Sequence, residues 1–125
     1  MLREVVYTEA GDARRRLCHR RALEVLAEAG ESAAVLAHHA WAAGLPQAAF
    51  RHSFAAGREA LGLSAVSEAS IHLELARQLV REGSLPKIPA AADLRDLYTQ
   101  LGRAYQVSGL TDMAQSMKAE RDQVG

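Results

Sequence analysis

Residues that interrupt helices recur along this chain at intervals of about one helix length. Five of them are single glycines, and a sixth break is a longer segment with two prolines: Gly11, Gly30, Gly44, Gly62, Gly109 and the segment 83–89. The stretches between these breaks are too long for ordinary strands. They are rich in Ala, Leu, Arg and Glu, which lose little on entering a helix. The spacing therefore predicts an all-α domain of six helices.

Short joints between helices of similar length favour antiparallel neighbours, so the six helices are predicted to form three hairpins. Asp12 and Ser32 are placed to cap the first two helices, Pro46 opens the third and Ser64 the fourth. We predict a domain at 11–125 with hairpins at about 13–44, 46–82 and 93–123, and an insertion at 83–92. Residues 1–10 are then the tail of a preceding module or a short N-terminal helix.

A repeat of 34 residues links the predicted hairpins. Gly30 and Ser64 lie 34 residues apart at successive turns, and Gly109 follows after 34 plus an insertion of 11. Small residues recur in the same register, including Gly57 and Gly102 on the first helices of the second and third hairpins. Small side chains at a constant interval let neighbouring helices approach closely, which is typical of a helical-hairpin solenoid.

The third hairpin carries the clearest motif of the chain. Tyr98, Leu101, Gly102 and Tyr105 match the W-x-x-L-G-x-x-Y pattern of the tetratricopeptide repeat, and Ala114 matches its second-helix alanine. The second hairpin lacks the aromatic positions, and the first is more degenerate. The chain thus resembles tetratricopeptide-repeat proteins. The resemblance implies a right-handed α-α superhelix of three hairpins.

The first forty-four residues carry a second resemblance. The segments 3–7, 13–22 and 36–44 are similar to the region that follows the nucleotide-binding and winged-helix parts of large bacterial ATP-dependent transcriptional regulators of the STAND ATPase type. That resemblance implies a fragment of a longer regulator with an ATPase domain upstream. In such proteins the helical repeats act as a sensor or partner-binding arm. The 125 residues contain no phosphate loop of their own.

Composition excludes several classes of function. Fifteen Lys plus Arg balance fifteen Asp plus Glu, so the chain has no overall basicity to attract nucleic acid or an anionic membrane. Cys18 is the only cysteine, which excludes an internal disulfide framework and fits a reducing compartment. No secretory signal or membrane-spanning run is visible. We therefore expect a cytoplasmic protein without membrane contact.

The five histidines and Cys18 form no recognisable catalytic or metal motif. His38 and His39 are adjacent, so on one helix they point about 100° apart and cannot both chelate an ion from the same face. We expect His39 to be packed, His38 to point outward and Cys18 to be a buried, inert thiol. His19 cannot face Cys18 from the next position of a helix. We therefore predict no catalytic residues, no metal, no cofactor and no enzyme activity.

The most chemically specific expectation is a partner-binding groove. In a right-handed solenoid of hairpins, the first helix of each pair lines the concave wall, and the exposed positions recur once per repeat. Reading them off the register gives a wall of arginines around one aromatic anchor, which suits a protein or peptide partner: Arg20, Arg51, Phe54, Arg58, Thr99 and Arg103. The alternative is that the arginines pair with Glu24, Glu59 or Asp96 and that Phe54 belongs to the core.

Two other functions remain open from the sequence. The predicted first helix has no acidic residue from Ala13 to Leu23 and carries five arginines, so it could touch nucleic-acid phosphates. It lacks interleaved aromatics, and we favour a solvated surface over nucleic-acid binding. The second is a structural spacer.

We also expect weak self-association. If the three hairpins are separated from a neighbouring domain of a longer protein, their first helix could expose apolar surface, so copies would associate through the first hairpin or Met1–Thr8.

Overall fold

The fold is all-α, as the break spacing predicts. The computed structural model describes the backbone of residues 2–124 and the side chains of residues 11–124, and that part of the chain contains no strand. Its helices are α1 (Leu2–Glu28), α2 (Ala33–Ala42), α3 (Pro46–Gly62), α4 (Val66–Glu82), α5 (Ala91–Val107) and α6 (Thr111–Gln123). Residues 83–90 separate α4 from α5, within the predicted insertion.

Helix α1 is longer than the sequence pattern predicts. It runs without interruption through Gly11 and Asp12, so Asp12 does not cap a helix beginning at Ala13. Instead its carboxylate lies 3.8 Å from the Arg15 guanidinium, one turn further along. A single glycine inside a helix costs only about 1 kcal/mol, which explains why Gly11 does not end this one.

The remaining helix starts match the capping signals in two cases out of three. The Ser32 hydroxyl accepts a hydrogen bond from the Val35 backbone N–H at 3.4 Å, and Pro46 lies in the first turn of α3. Ser64 does not cap α4, because α4 begins after Ala65. Ser64 instead adopts a left-handed conformation with φ of 60°.

The turn between the helices of each hairpin repeats one backbone conformation. Gly30, Ser64 and Gly109 stand in the same register, and their φ angles are 75°, 60° and 77°. Glycine enters this region freely, whereas a residue with a Cβ is strained there. Ser64 therefore occupies the position where the other two turns have glycine.

Replacing Ser64 with glycine is expected to raise the free energy of unfolding by about 0.5–1 kcal/mol. Removing the Cβ relieves left-handed strain, and part of this gain is lost to the greater entropy of an unfolded glycine. Ser67→Gly is the matched control, since Ser67 is exposed inside α4 and the same change should destabilise there by a few tenths of a kcal/mol. Urea unfolding of both variants checks the prediction, and a loss of stability at Ser64 contradicts it.

Each helix packs against the next one in the chain, and α3 also contacts α5. The core between them consists of small and aliphatic side chains with two tyrosines and two phenylalanines. Its most completely buried larger members are Leu73, Leu97 and Leu101, each 0% exposed. Trp41 of α2 donates a hydrogen bond from Nε1 to Oγ of the fully buried Ser53 on α3 at 3.0 Å. The buried hydroxyl is thereby satisfied, and it ties α2 to α3.

The predicted apolar face of α1 is largely wrong. Helical periodicity predicts a core face made of Leu17, Cys18, Ala22, Val25, Leu26 and Ala29. Leu17 and Val25 are instead 46% and 65% exposed, and Cys18 is exposed as well. Among the α1 side chains described, those of residues 11–28, Leu23 is the buried one, and Leu26 packs beside it against the core. The reason is that α1 packs chiefly on α2, so only one narrow stripe of it is covered. No helix in the described residues has both the length and the apolar character needed to cross a membrane.

Candidate functional site

Helix α3 presents Arg51, Phe54 and Arg58 on one side. Spacings of three and four residues place side chains on the same helical face, so the predicted trio does come together. The three side chains line one surface cavity of about 490 Å³. Arg51 and Arg58 are exposed. Phe54 is only 8% exposed and belongs to the hydrophobic core, as the alternative interpretation expected, so that only its edge forms the floor of the cavity.

The insertion between α4 and α5 forms the opposite wall of this cavity. Lys87, Ile88 and Pro89 line it, and Ile88 is 81% exposed. The Lys87 backbone N–H donates to the Gln47 side-chain oxygen at 3.2 Å, which holds the insertion against α3. We call this cavity, with Arg51, Arg58, Lys87 and Ile88 above Phe54, the α3 pocket. Lys87 and Ile88 were missed from the sequence, because a repeat register assigns no position to an insertion.

The charges of the α3 pocket are only partly neutralised. The Arg58 guanidinium carbon lies 5.6 Å from the centre of the Phe54 ring, a distance typical of a cation–π contact. Arg58 Nη1 also lies 3.8 Å from Asp96 Oδ2, but the Arg58 side chain keeps 60% of its surface exposed. An ion pair this exposed adds about 0–1 kcal/mol. Arg58 can therefore exchange Asp96 for an incoming carboxylate at little cost.

The other predicted groove residues lie elsewhere. Thr99 and Arg103 line a second depression of about 690 Å³ between α5 and α6, together with Lys118 and Arg121. The Thr99 hydroxyl donates to the Arg95 carbonyl at 2.8 Å. Arg20 is exposed on α1 and lines neither cavity. The structure thus divides the predicted wall into separate surfaces.

Five arginines of α1 lie among the side chains that the structure describes, and all five are exposed: Arg14, Arg15, Arg16, Arg20 and Arg21. Arg15 is paired with Asp12 across one turn, with its side chain 77% exposed. Arg15 and Arg16 also line a shallow depression with His19 and Trp41. This distribution fits a solvated helix surface.

Three histidines from two helices meet beside that depression. His19 of α1 lies next to His38 and His39 of α2, and His19 Nδ1 is 2.9 Å from His39 Nδ1. The ring centres are 5.1 Å apart for the pairs His19–His39 and His38–His39, and 5.9 Å for His19–His38. Burial, and next the proximity of His38 and His19, lower the pKa of His39. The expectation that the adjacent His38 and His39 point too far apart to share an ion is wrong, because their rings lie side by side and His19 of α1 meets both of them.

A second cluster that the sequence did not predict joins α4, α5 and α6. Arg77 of α4 makes two hydrogen bonds to Glu120 of α6, from Nη2 at 2.6 Å and from Nε at 3.1 Å, and a third to Glu74 from Nη1 at 3.2 Å. The Tyr105 hydroxyl of α5 donates to the other oxygen of Glu74. These contacts raise the pKa of Arg77, and burial raises that of Tyr105. Because the cluster is saturated with internal partners, we interpret it as a structural clamp.

Comparison of the chain with known proteins does not identify a family or a function for it. No protein-family model, no curated protein and no solved structure matches the chain.

Proposed function

We propose that this chain is a protein-recognition module built from three tetratricopeptide-like hairpins stacked in a right-handed superhelix. The left-handed turns at Gly30, Ser64 and Gly109 support the common register. So do Gly57 and Gly102, because a Cβ at either would face the carbonyl of the alanine twelve residues later, at 3.4 Å and 3.8 Å. Helices related in this way expose one face per hairpin to a partner.

The α3 pocket is the observation that carries the proposed function. The lining of this cavity of about 490 Å³ combines three cationic residues and one acidic residue, Asp93, with a buried aromatic floor and an exposed aliphatic side chain, so cationic residues predominate. Guanidinium groups bind carboxylates in a bidentate fashion, and Ile88 supplies apolar surface to an approaching side chain. The partner that fits is an acidic peptide segment with an apolar residue among its carboxylates.

Within a parent protein, the same module would couple partner binding to an upstream ATPase. The resemblance of the N-terminal third to large bacterial transcriptional regulators supports this parentage, and with it a cytoplasmic location. We propose that Leu17 and Val25, exposed on the outer face of α1, contact that preceding domain. In the isolated chain the same surface would support weak self-association.

The test is a fluorescence-anisotropy titration with a labelled peptide that alternates glutamate and leucine. We expect binding that weakens at least tenfold in the Arg51→Glu, Arg58→Glu double variant, because two carboxylate contacts become repulsive. The Arg14→Glu, Arg21→Glu double variant is the matched control, with the same change in charge on exposed α1 positions. Equal weakening in both doubles, or no binding by wild type, contradicts the α3 pocket.

The two alternative functions predict different results with the same proteins. Nucleic-acid binding by α1 predicts affinity for a short DNA duplex that falls steeply with salt and is lost when Arg14, Arg15 and Arg16 are neutralised. A structural spacer predicts neither peptide nor duplex binding. The α3 pocket predicts peptide binding alone.

A further inference from the structure

The His19, His38 and His39 cluster is independent of the α3 pocket and lies on the first two helices. One ligand atom from each ring can be chosen so that all three lie within 4.8 Å of one another. His19 and His39 are half-buried, and His38 is exposed. We propose that this cluster binds a divalent transition-metal ion of the Zn²⁺ class and thereby joins α1 to α2.

The spacing of the nitrogens is close to that of a coordinated pair. With metal–nitrogen distances of about 2.0–2.1 Å, two imidazole nitrogens of a tetrahedral site lie about 3.3 Å apart. The His19 and His39 Nδ1 atoms are 2.9 Å apart, so opening this pair by a few tenths of an ångström admits an ion between them. The ion takes the place of the hydrogen bond between these two nitrogens, and the proton of that bond is released to solvent.

The third ligand needs a larger movement. A spread of up to 4.8 Å exceeds what one ion can bridge at two bonds of about 2.1 Å, so at least one ring must move. His38 is the exposed member of the cluster, and its ring is T-shaped to that of His39 at an interplanar angle of 70°. Rotation of a solvated side chain on a fixed helix is therefore sufficient.

The donor set indicates the class of ion. Three imidazoles without a thiolate or carboxylate in the set suit Zn²⁺, Cu²⁺ and Ni²⁺, whereas Mg²⁺ and Ca²⁺ require oxygen ligands. Arg15 and Arg16 line the adjacent depression and oppose a cation, while Asp12 on the same rim favours one. Three protein ligands leave a coordination position for water, as in open zinc sites.

Isothermal titration of the untagged 125-residue chain with ZnCl₂ tests the proposal. We expect one ion per chain, and at least tenfold weaker binding in each of the variants His19→Gln, His38→Gln and His39→Gln. His52→Gln is the matched control, because His52 is a half-buried histidine outside the cluster and should leave the affinity unchanged. Cys18→Ser should also leave it unchanged, which separates the cluster from its neighbouring thiol.

A second measurement keeps the test independent of how the variants fold. Zn²⁺ in excess should raise the thermal midpoint of the wild type by several degrees and leave that of a His19→Gln, His39→Gln double variant unmoved. Addition of Co²⁺ to wild type should give visible absorption that Zn²⁺ removes. Absence of heat, of a midpoint shift and of Co²⁺ absorption overturns the proposal, as does equal loss of binding in His52→Gln.

Discussion

Replacing Gly57 with alanine is expected to lower the free energy of unfolding by about 1–3 kcal/mol, whereas the same change at Gly102 should raise it by up to about 1 kcal/mol. At Gly57 a Cβ would overlap the Leu73 side chain, with Cδ2 only 2.5 Å away, and Leu73 is fully buried. At Gly102 the nearest atom, Met117 Cβ, is at 3.7 Å, which is ordinary contact. Alanine there gains helix propensity without a clash.

Urea unfolding of the two variants measures this difference between equivalent repeat positions. Combining Gly57→Ala with Leu73→Ala should cost less than the sum of the single changes, because the smaller side chain makes room for the new methyl group. If Gly57→Ala proves as harmless as Gly102→Ala, the close approach of α3 and α4 at Leu73 is incorrect.

Replacing Arg77 with methionine is expected to destabilise the fold by about 2–3 kcal/mol. The Arg77 side chain is 13% exposed, and its removal leaves Glu74 and Glu120, each about one-third exposed, facing each other without a counter-charge. Fully buried pairs lose about 3–5 kcal/mol when one partner is removed, and the partial exposure of both carboxylates reduces that figure.

A double-mutant cycle separates the pairing from the packing in this clamp. The Arg77→Met, Glu120→Met double variant should be more stable than the sum of its single changes predicts, by about 1–3 kcal/mol, since neither charge is then left alone. Arg81→Met is the control, because Arg81 lies one turn further along α4 and is exposed. Additive losses in the cycle contradict a direct Arg77–Glu120 interaction.

The all-α class and most helix limits could be predicted because local signals determine them. Pro46 and Ser32 act within one turn of their own position, and the left-handed turns at Gly30 and Gly109 need only a residue without a Cβ. The local signal misled only at Ser64, which was predicted to cap α4 because a serine just before a helix usually caps it. Its left-handed φ follows instead from its position in the turn of the hairpin.

Contacts between distant parts of the chain could not be predicted in the same way. Arg51, Phe54 and Arg58 share one helix, so their grouping follows from spacing alone. Ile88 joins them only because the insertion folds back over α3, and Glu120 reaches Arg77 across 43 residues. The exposed face of α1 was misassigned because periodicity shows which side of a helix is apolar, and not whether another element covers it.

The hydrogen bond from Trp41 to Ser53 determines what intrinsic fluorescence can report on this molecule. Trp41 is the single tryptophan of the chain, so its fluorescence reports on the contact between α2 and α3 and does not report on the third hairpin. Stacked hairpins touch only their neighbours, and a long stack can melt in parts. If the fluorescence of Trp41 changes before the circular dichroism of the helices is lost, the contact between the first two hairpins is the first to unfold. If it changes afterwards, another part of the chain unfolds first.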